Sequence, residues 1–387
     1  MNRTHGPGPV LFIFRISPRW IKRVFLALFA IAGLWPLGRG GAVEKAKEAN
    51  VPYRQEDVLI WNGGIALAGT LTRPKTGSGF GAVVLLPGSG PVNRDEEAFG
   101  WKPFRVLADH LTRRGLAVLR CDSRGVGGSG GTAYHYGLGD VAADALAAVH
   151  YLKSRPDIDH RRIGICGHSQ GGIVAPLCAA QSDDVSFIVC LSGTGLPGEA
   201  TFFSQQGAIS RAEGATDAEW QEDLGNLRIF VGLVRTGAAR TDLEPVVHAM
   251  VSRQIQRQTR GTDSPSEKGS SELESKVDCI LSGYNTPWFR SFLDYDPRPA
   301  LFKVKCPVLL IFGELDMQVP AEENRRAMVQ ALLQGNHHDF LVKTFPGANH
   351  LFQDAVTGSP AEYEHLRKAF VPGFLDFISA WISERIR

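Results

Sequence analysis

A serine stands where an apolar run meets a segment of small residues, within residues 162–175. Residues 167–171 read Gly-His-Ser-Gln-Gly, with Ser169 at the centre. A Gly-x-Ser-x-Gly motif between a strand and a helix is the pattern of a nucleophile elbow, a sharp turn that exposes the serine hydroxyl. The flanking glycines are needed because side chains there would collide with the turn. The segment predicts that Ser169 is a nucleophile at the start of a helix.

The chain contains a second match to the same short motif, in residues 127–131 (Gly-Gly-Ser-Gly-Gly). The apolar strand before it ends near Asp122, and no helical pattern begins at Ser129. The motif alone is weak, so the surrounding elements must decide between the two serines. We expect a flexible glycine-rich loop around Ser129 and choose Ser169.

A serine hydroxyl needs a base to activate it, and a carboxylate must orient that base. After a nucleophile elbow, the acid precedes the histidine in the chain. His350 lies in a loop just after the last predicted strand, where it could lean over the edge of the sheet. His365 falls in a predicted helix among charged residues, and His248 lies in a long insertion. His350 is therefore the predicted base.

The predicted acid is Asp316, which follows the apolar run of residues 308–312 within a short loop. Glu314, two residues earlier, is the competing carboxylate. Asp294 and Asp296 stand beside prolines and are expected to form turns. Pro320 is better placed than Asp316 to start the helix that follows.

Two backbone N–H groups are expected to meet the negative oxygen of a tetrahedral intermediate. One belongs to Gln170, the residue after the nucleophile. The other is assigned to Ser89, in residues 87–91 (Pro-Gly-Ser-Gly-Pro), where small residues let a substrate approach the backbone. The alternative for this loop is an ordinary tight turn.

Strand-like and helix-like segments alternate through most of the chain. The predicted strands are 53–61, 65–73, 81–86, 116–120, 162–166, 187–191, 307–312 and 340–344, and the main helices are 99–114, 139–153, 173–181, 321–333 and 362–386. This alternation predicts an α/β fold with a mostly parallel, doubly wound sheet, and the first two strands form an antiparallel hairpin around residues 62–64.

The alternation stops between residues 196 and 300, where helical segments at 218–234 and 243–258 flank a polar loop at 261–271. We expect this part to be a mainly helical cap over the carboxyl edge of the sheet, where open α/β sheets bind ligands. The predicted core comprises residues 43–195 and 301–387.

The first 42 residues have a different character. The segment Trp20-Ile21-Lys22-Arg23, which ends in two basic residues, precedes an apolar stretch at 24–37, and small residues follow. This is typical of a secretory signal peptide, and the apolar stretch is short for a membrane span. We expect export to the periplasm or medium, or membrane anchoring if the segment is not cleaved. The alternative interpretation of these residues is that the start codon has been assigned upstream of the real one.

Composition narrows the choice of function. The chain is 43% hydrophobic and 21% charged, as in soluble enzymes, and its net charge of +2 with no basic stripe argues against nucleic acid as a partner. No metal-ligand spacing occurs, and residues 337–339 (His-His-Asp) are interpreted as a turn. We expect neither cofactor nor metal. Of the six cysteines, Cys121, Cys166 and Cys190 lie in predicted buried strands, and pairing of Cys279 with Cys306 stays open.

Five segments in order resemble the successive motifs of the α/β-hydrolase superfamily, over about residues 51–387. They are 85–91 (Leu-Leu-Pro-Gly-Ser-Gly-Pro), 122–129 (Asp-Ser-Arg-Gly-Val-Gly-Gly-Ser), 167–171, 313–316 (Gly-Glu-Leu-Asp) with Val319-Pro320, and 347–350 (Gly-Ala-Asn-His). The likeness is greatest to capped bacterial carboxylesterases and serine aminopeptidases. It implies Ser169 as nucleophile, Asp316 as acid, His350 as base, and Gln170 and Ser89 as oxyanion donors. Asp122 and Arg124 match a position that is usually structural, and Pro87 replaces a histidine common in lipases.

The expected reaction is hydrolysis of a small-molecule ester with a small to medium acyl group, through an acyl-enzyme. Peptide or amide hydrolysis of the aminopeptidase type is the second hypothesis, because the cap carries carboxylates that could anchor a substrate ammonium: Glu199, Glu213, Asp217, Glu219, Glu222 and Asp223. Acyl transfer and thioester hydrolysis remain open, and a purely binding role is disfavoured.

Overall fold

The computed structural model describes residues 51–259 and 268–386, and eight strands in these ranges form one sheet. The strands are β1 (Tyr53–Asn62), β2 (Ile65–Pro74), β3 (Phe80–Leu86), β4 (Ala117–Cys121), β5 (Ile158–His168), β6 (Phe187–Leu191), β7 (Val308–Gly313) and β8 (Phe340–Phe345). Their spatial order is β1-β2-β4-β3-β5-β6-β7-β8. Pairing is antiparallel from β1 to β2 and from β2 to β4, and parallel elsewhere. The predicted α/β-hydrolase fold with a mostly parallel sheet is confirmed.

Helices cover both faces of this sheet. Those of the core are α1 (Pro103–Arg113), α2 (Leu138–Lys153), α3 (Gln170–Gln181), α9 (Arg298–Leu301), α10 (Ala321–Gln334) and α11 (Phe374–Arg385). Val83 and Leu85 of β3 pack with the buried residues of α1 and α11, whereas Val84 packs with those of α2, α3 and α10. Alternate residues of a strand face opposite sides, so β3 is apolar throughout because both sides are covered.

Six helices lie between β6 and β7 within the described ranges, and the five that precede α9 form the insertion. These five are α4 (Gly198–Ala212), α5 (Asp217–Thr236), α6 (Arg240–Gln258), α7 (Lys268–Tyr284) and α8 (Pro287–Leu293). We call them the inserted helices. Phe289 is central to their packing, because its ring lies 5.2 Å from that of Phe202 and 4.5 Å from that of Tyr284. The helical insertion is confirmed, and its limits at residues 196 and 300 stay a prediction. The predicted loop at 261–271 falls largely outside the described residues.

The prediction of a final helix over residues 362–386 is wrong at its start. A short 3₁₀ turn occupies Pro360–Glu362, and α11 begins only at Phe374. Pro372 disfavours helical backbone at the residue before it, and Gly373 has a φ of 79°, which is left-handed. His365 is consequently on an exposed turn and not on a helix. Helix α1 likewise begins at Pro103 and not at residue 99, because proline favours the first helical turn.

The predicted signal or anchor at residues 1–42 lies outside the described residues. Among the helices in the described ranges, none is both long enough and apolar enough to cross a bilayer. Cys279 and Cys306 are free thiols in the structure, as are Cys121, Cys166 and Cys190.

Gly164 shows how closely β5 and β6 approach each other. A Cβ at this position would lie 2.2 Å from the ring of Phe187. We expect Gly164→Ala to lower the free energy of unfolding by about 1–3 kcal/mol, because the core must be overpacked to accept the methyl group. Urea unfolding followed by circular dichroism measures this loss.

Gly232→Ala is the matched control. Gly232 lies within α5 and is exposed, and a Cβ there meets nothing within 4 Å. Alanine should raise stability by up to about 1 kcal/mol through helix propensity. If the two substitutions changed the free energy of unfolding equally, the contact with Phe187 would not explain the loss expected for Gly164→Ala.

Candidate active site

The turn between β5 and α3 places Ser169 in a strained conformation, with φ 52° and ψ −113°. Its N–H donates to the carbonyl of Leu191, at 2.8 Å. A Cβ on Gly167 would lie 2.0 Å from the carbonyl oxygen of Gly171, and a Cβ on Gly171 would lie 2.1 Å from that of Leu86. Both glycines are therefore required by close backbone contacts, as the motif predicts, and Ser169 precedes the first turn of α3.

Asp316 and His350 come together from the loops after β7 and β8. Nδ1 of His350 lies 2.8 Å from Oδ2 of Asp316, and both side chains are almost fully buried. The other carboxylate oxygen, Oδ1, accepts the N–H groups of Gln318 and Val319, at 2.9 and 2.8 Å. These hydrogen bonds fix the Asp316 carboxylate. Because the carboxylate accepts a hydrogen bond from Nδ1 of His350, Nε2 is the basic nitrogen of the imidazole.

The competing carboxylates have other partners. Glu314 Oε2 accepts the N–H of Gly347, at 2.9 Å, and so braces the loop that carries His350. The two aspartates after the inserted helices form ion pairs: Asp294 with Arg235, and Asp296 with Arg298. Asp296 also accepts the backbone N–H of Arg298, as expected of a turn.

The other candidate histidines lie in surface or turn positions. His248 faces Glu274 at 3.4 Å, and these two with Glu244 form a surface group whose ligand atoms lie within 4.8 Å of one another. Such groups are common without a metal, and nothing further here indicates one. His337 bonds within its own turn, to the carbonyl oxygen of Asp339.

A small pocket beside Ser169 is bordered by both predicted oxyanion donors, Ser89 and Gln170. Its cavity volume is about 20 Å³, which is room for about one water molecule. The side-chain oxygen of Gln170 accepts the indole N–H of Trp288 from α8. Because Gln170 opens α3, its backbone N–H is one of those that a helix leaves unused at its start.

A buried pair of Glu96 and His168 lies next to the elbow, and the sequence reading missed it. Oε1 of Glu96 is 2.7 Å from Nδ1 of His168 and also accepts the N–H of Gly88, at 2.6 Å. Nε2 of His168 lies 2.9 Å from the carbonyl oxygen of His350. Both ring nitrogens thus face acceptors, which a doubly protonated imidazolium satisfies.

Electrostatics support this protonation state. Burial by itself lowers the pKa of His168, but attraction to the Glu96 carboxylate and the hydrogen bonds to Glu96 and His350 outweigh it, so the pKa is raised. The sequence offers one indication of this pair, a polar run Asn-Arg-Asp-Glu-Glu at 93–97 that contains Glu96 and follows the glycine-rich loop at 87–91. The pair joins three loops that surround Ser169.

The second motif match has a structural explanation. Oγ of Ser129 donates to the carbonyl of Asp122 and accepts the N–H of Ala68, both at 2.9 Å. The Asp122 carboxylate pairs with Arg94 at 2.7 Å, and a Cβ on Gly127 would lie 2.4 Å from it. The loop therefore folds around Asp122, and the hydroxyl of Ser129 is used in the hydrogen bonds that hold the loop.

Comparisons with known proteins identify the family of the chain. The model of the alpha/beta hydrolase family matches residues 83–365. Esterase EstD of Thermotoga maritima is 26% identical over 331 residues, which are 85% of this chain and 68% of that protein. An uncharacterised protein of Mycobacterium tuberculosis is 31% identical over 182 residues, 47% of this chain and 56% of that protein.

Solved structures show the same fold. A hypothetical protein of Pseudomonas aeruginosa matches with a TM-score of 0.51 at 18% identity, over 86% of this chain and 94% of its own. An esterase of Pyrococcus furiosus matches with a TM-score of 0.50 at 16% identity, over 86% and 91%. At such identities the likeness concerns the fold alone.

Glu96→Gln tests the buried pair. We expect it to lower the free energy of unfolding by about 3 kcal/mol at neutral pH, because it leaves His168 without its counter-ion. A histidine whose pKa is raised by folding stabilises fully below its unfolded pKa and loses that contribution as pH rises through the folded pKa. Urea unfolding across this range should show the decline in the natural protein and not in the variant.

Glu97→Gln is the control, since Glu97 is exposed and pairs only with Lys102 among the described ion pairs. It should change stability by less than about 1 kcal/mol. A Glu96→Gln variant that is no less stable than Glu97→Gln, with an unchanged pH profile, would contradict a charged pair.

Proposed function

Because the chain belongs to the alpha/beta hydrolase family, we propose that it is a serine hydrolase that cleaves carboxylic esters. The observation that carries the proposal is the buried bond from Asp316 to Nδ1 of His350, at the same edge of the sheet as the elbow of Ser169. In this proposal Ser169 is the nucleophile, His350 is the base and Asp316 orients the base. The name of the relative EstD, an esterase, supports the same reaction class.

The reaction proceeds in two halves. Oγ of Ser169 attacks the ester carbonyl carbon while Nε2 of His350 takes its proton, and a tetrahedral intermediate forms. His350 then gives the proton to the departing alkoxide, which leaves an acyl group on Ser169. A water molecule, deprotonated by His350, hydrolyses this acyl-enzyme, and the proton returns to Ser169 as the acid departs. Asp316 stabilises the imidazolium formed in each half.

The negative oxygen of the intermediate is stabilised by the backbone N–H groups of Gln170 and Ser89. The first belongs to the amino terminus of α3, where the helix dipole also favours negative charge. The second belongs to the loop after β3. In this loop the N–H of Gly88, the residue before Ser89, donates to the Glu96 carboxylate. A loop held in this way needs little reorganisation when charge develops, which is what makes such donors effective.

The pocket favours a neutral ester over an aminopeptidase substrate. Among the described residues, those that border it include no carboxylate and no ammonium group. They are Ser89, Ser169, Gln170, Ile173, Thr194, Thr201, Gln205, Trp288, Phe292, Gln318 and Val319. The carboxylates of the inserted helices that could have anchored an ammonium lie elsewhere. For example, Glu199 pairs with Arg235, and Asp223 pairs with Arg257. The volume of about 20 Å³ also favours a short acyl group.

Removal of the nucleophile is the primary test. We expect Ser169→Ala to lower kcat for p-nitrophenyl acetate and butyrate by about four orders of magnitude or more, because no acyl-enzyme can form. Ser129→Ala is the matched control, a serine from the other motif match, and should keep the activity while losing some stability. Full activity of Ser169→Ala would exclude the proposed nucleophile.

A substrate comparison separates the two hydrolase hypotheses. We expect p-nitrophenyl esters to be hydrolysed and aminoacyl p-nitroanilides to show no release above the Ser169→Ala background, because the pocket offers the substrate ammonium no counter-ion. Release of p-nitroaniline by the natural protein that disappears in Ser169→Ala would favour the aminopeptidase reading instead. Both rates are read by absorbance.

A further inference from the structure

One wall of the pocket beside Ser169 holds a buried amide without a complete set of hydrogen bonds. Gln205 of α4 is 1% exposed, and its Oε1 accepts no hydrogen bond from any residue in the described ranges. It borders the pocket together with Thr201, one helical turn earlier on the same face of α4. A buried polar atom without a partner is costly, so the unpaired Oε1 points to a ligand group.

Four of the other side-chain donors around this pocket have partners of their own. Thr194 and Thr201 donate to the carbonyl of Leu196, at 3.4 and 3.2 Å. The amide of Gln318 donates to the hydroxyl of Tyr363 at 2.9 Å, and the indole of Trp288 donates to Gln170. None of these donors is directed to Gln205, so a group that enters the pocket, such as part of a substrate, can supply its hydrogen bond.

The position of the pocket indicates which part of an ester it receives. His350 must protonate the leaving alkoxide, so the alcohol part lies beside its ring. His350 is not among the residues that border the pocket, whereas Ser169 and both proposed oxyanion donors are. The pocket therefore receives the substituent on the carbonyl carbon, which is the acyl side.

We propose that the preferred substrates are esters of short hydroxy acids, whose acyl hydroxyl bonds to Gln205. This inference rests on the proposed esterase function and names its substrate class. A cavity of about 20 Å³ has room for about one water-sized group, such as the hydroxyl of a hydroxymethyl substituent on the carbonyl carbon. A hydroxyl both donates and accepts, so it pairs with the amide whichever way the amide is turned.

The test compares ethyl glycolate with ethyl propanoate, two esters of nearly equal size that differ by a hydroxyl in place of a methyl. The readout is the ratio of their kcat/KM values, measured by acid release at constant pH. Dividing the ratio of a variant by that of the natural protein cancels the different intrinsic reactivity of the two esters. We expect Gln205→Leu to lower the ratio about three- to tenfold, mainly through slower glycolate hydrolysis.

Gln206→Leu is the matched control. Gln206 is the next residue of α4 and is also buried, and its amide nitrogen has no hydrogen-bond partner among the residues that the structure describes. It borders a different cavity, among Glu213, Asp223 and Arg257. It should leave the ratio unchanged. Gln205→Glu keeps an oxygen acceptor and should restore most of the ratio, and it replaces Gln205→Leu as the informative variant if the leucine protein does not fold.

Three results are distinguishable. A ratio that falls in Gln205→Leu alone supports the hydroxyacyl pocket. If both esters are hydrolysed and the ratio is unchanged in Gln205→Leu, or falls equally in Gln206→Leu, this inference is overturned. The proposed esterase function is then unaffected. No hydrolysis of either ester or of p-nitrophenyl acetate overturns the esterase function and this inference together.

Discussion

The close backbone contact at the elbow is the constraint on which the arrangement of this protein depends. Ser169 has a φ of 52° although it carries a side chain, a conformation that costs on the order of 1–3 kcal/mol. The surrounding structure enforces it, because Gly167 and Gly171 let three chain segments meet at distances no Cβ would permit, and Leu191 holds the N–H of Ser169. The buried parallel strands β3, β5 and β6 provide the rigidity, and Ser169 borders the pocket beside them.

A second layer of organisation comes from the buried pair of Glu96 and His168. It contacts the backbone of Gly88 on one side and of His350 on the other, so one ion pair sets the distance between the loop after β3, the elbow and the loop after β8. Burying two charges carries a large desolvation cost, and an apolar pair of the same size could stabilise the fold as well. The pair is better understood as fixing the geometry of the loops, because His168 does not border the pocket beside Ser169.

Local sequence patterns predicted the parts of the site that follow directly from strands. Asp316 and His350 each stand just after an apolar run, and the carboxyl ends of parallel strands share one edge of the sheet, so their meeting could be expected. The polar run marks Glu96 as one carboxylate among several, and such carboxylates are usually exposed, so only tertiary packing shows that Glu96 is buried against His168. Gln205 and Trp288 were missed for a similar reason, since the packing of the inserted helices decides which of their residues face the core. The predicted last helix begins too early. The spacing of its apolar residues favours a helix from residue 362, whereas Pro372 and Gly373 prevent helical backbone before Phe374.

The most direct measurement of the central claim is the site of covalent labelling by a fluorophosphonate, which phosphonylates only a serine activated by its base. The labelled protein is digested and its peptides are identified by mass spectrometry. The expected result is a single modification on Ser169, absent from Ser169→Ala, much slower in His350→Ala and unchanged in Ser129→Ala. Modification of another serine, or labelling that persists without Ser169 or is indifferent to His350, would contradict the proposed catalytic serine.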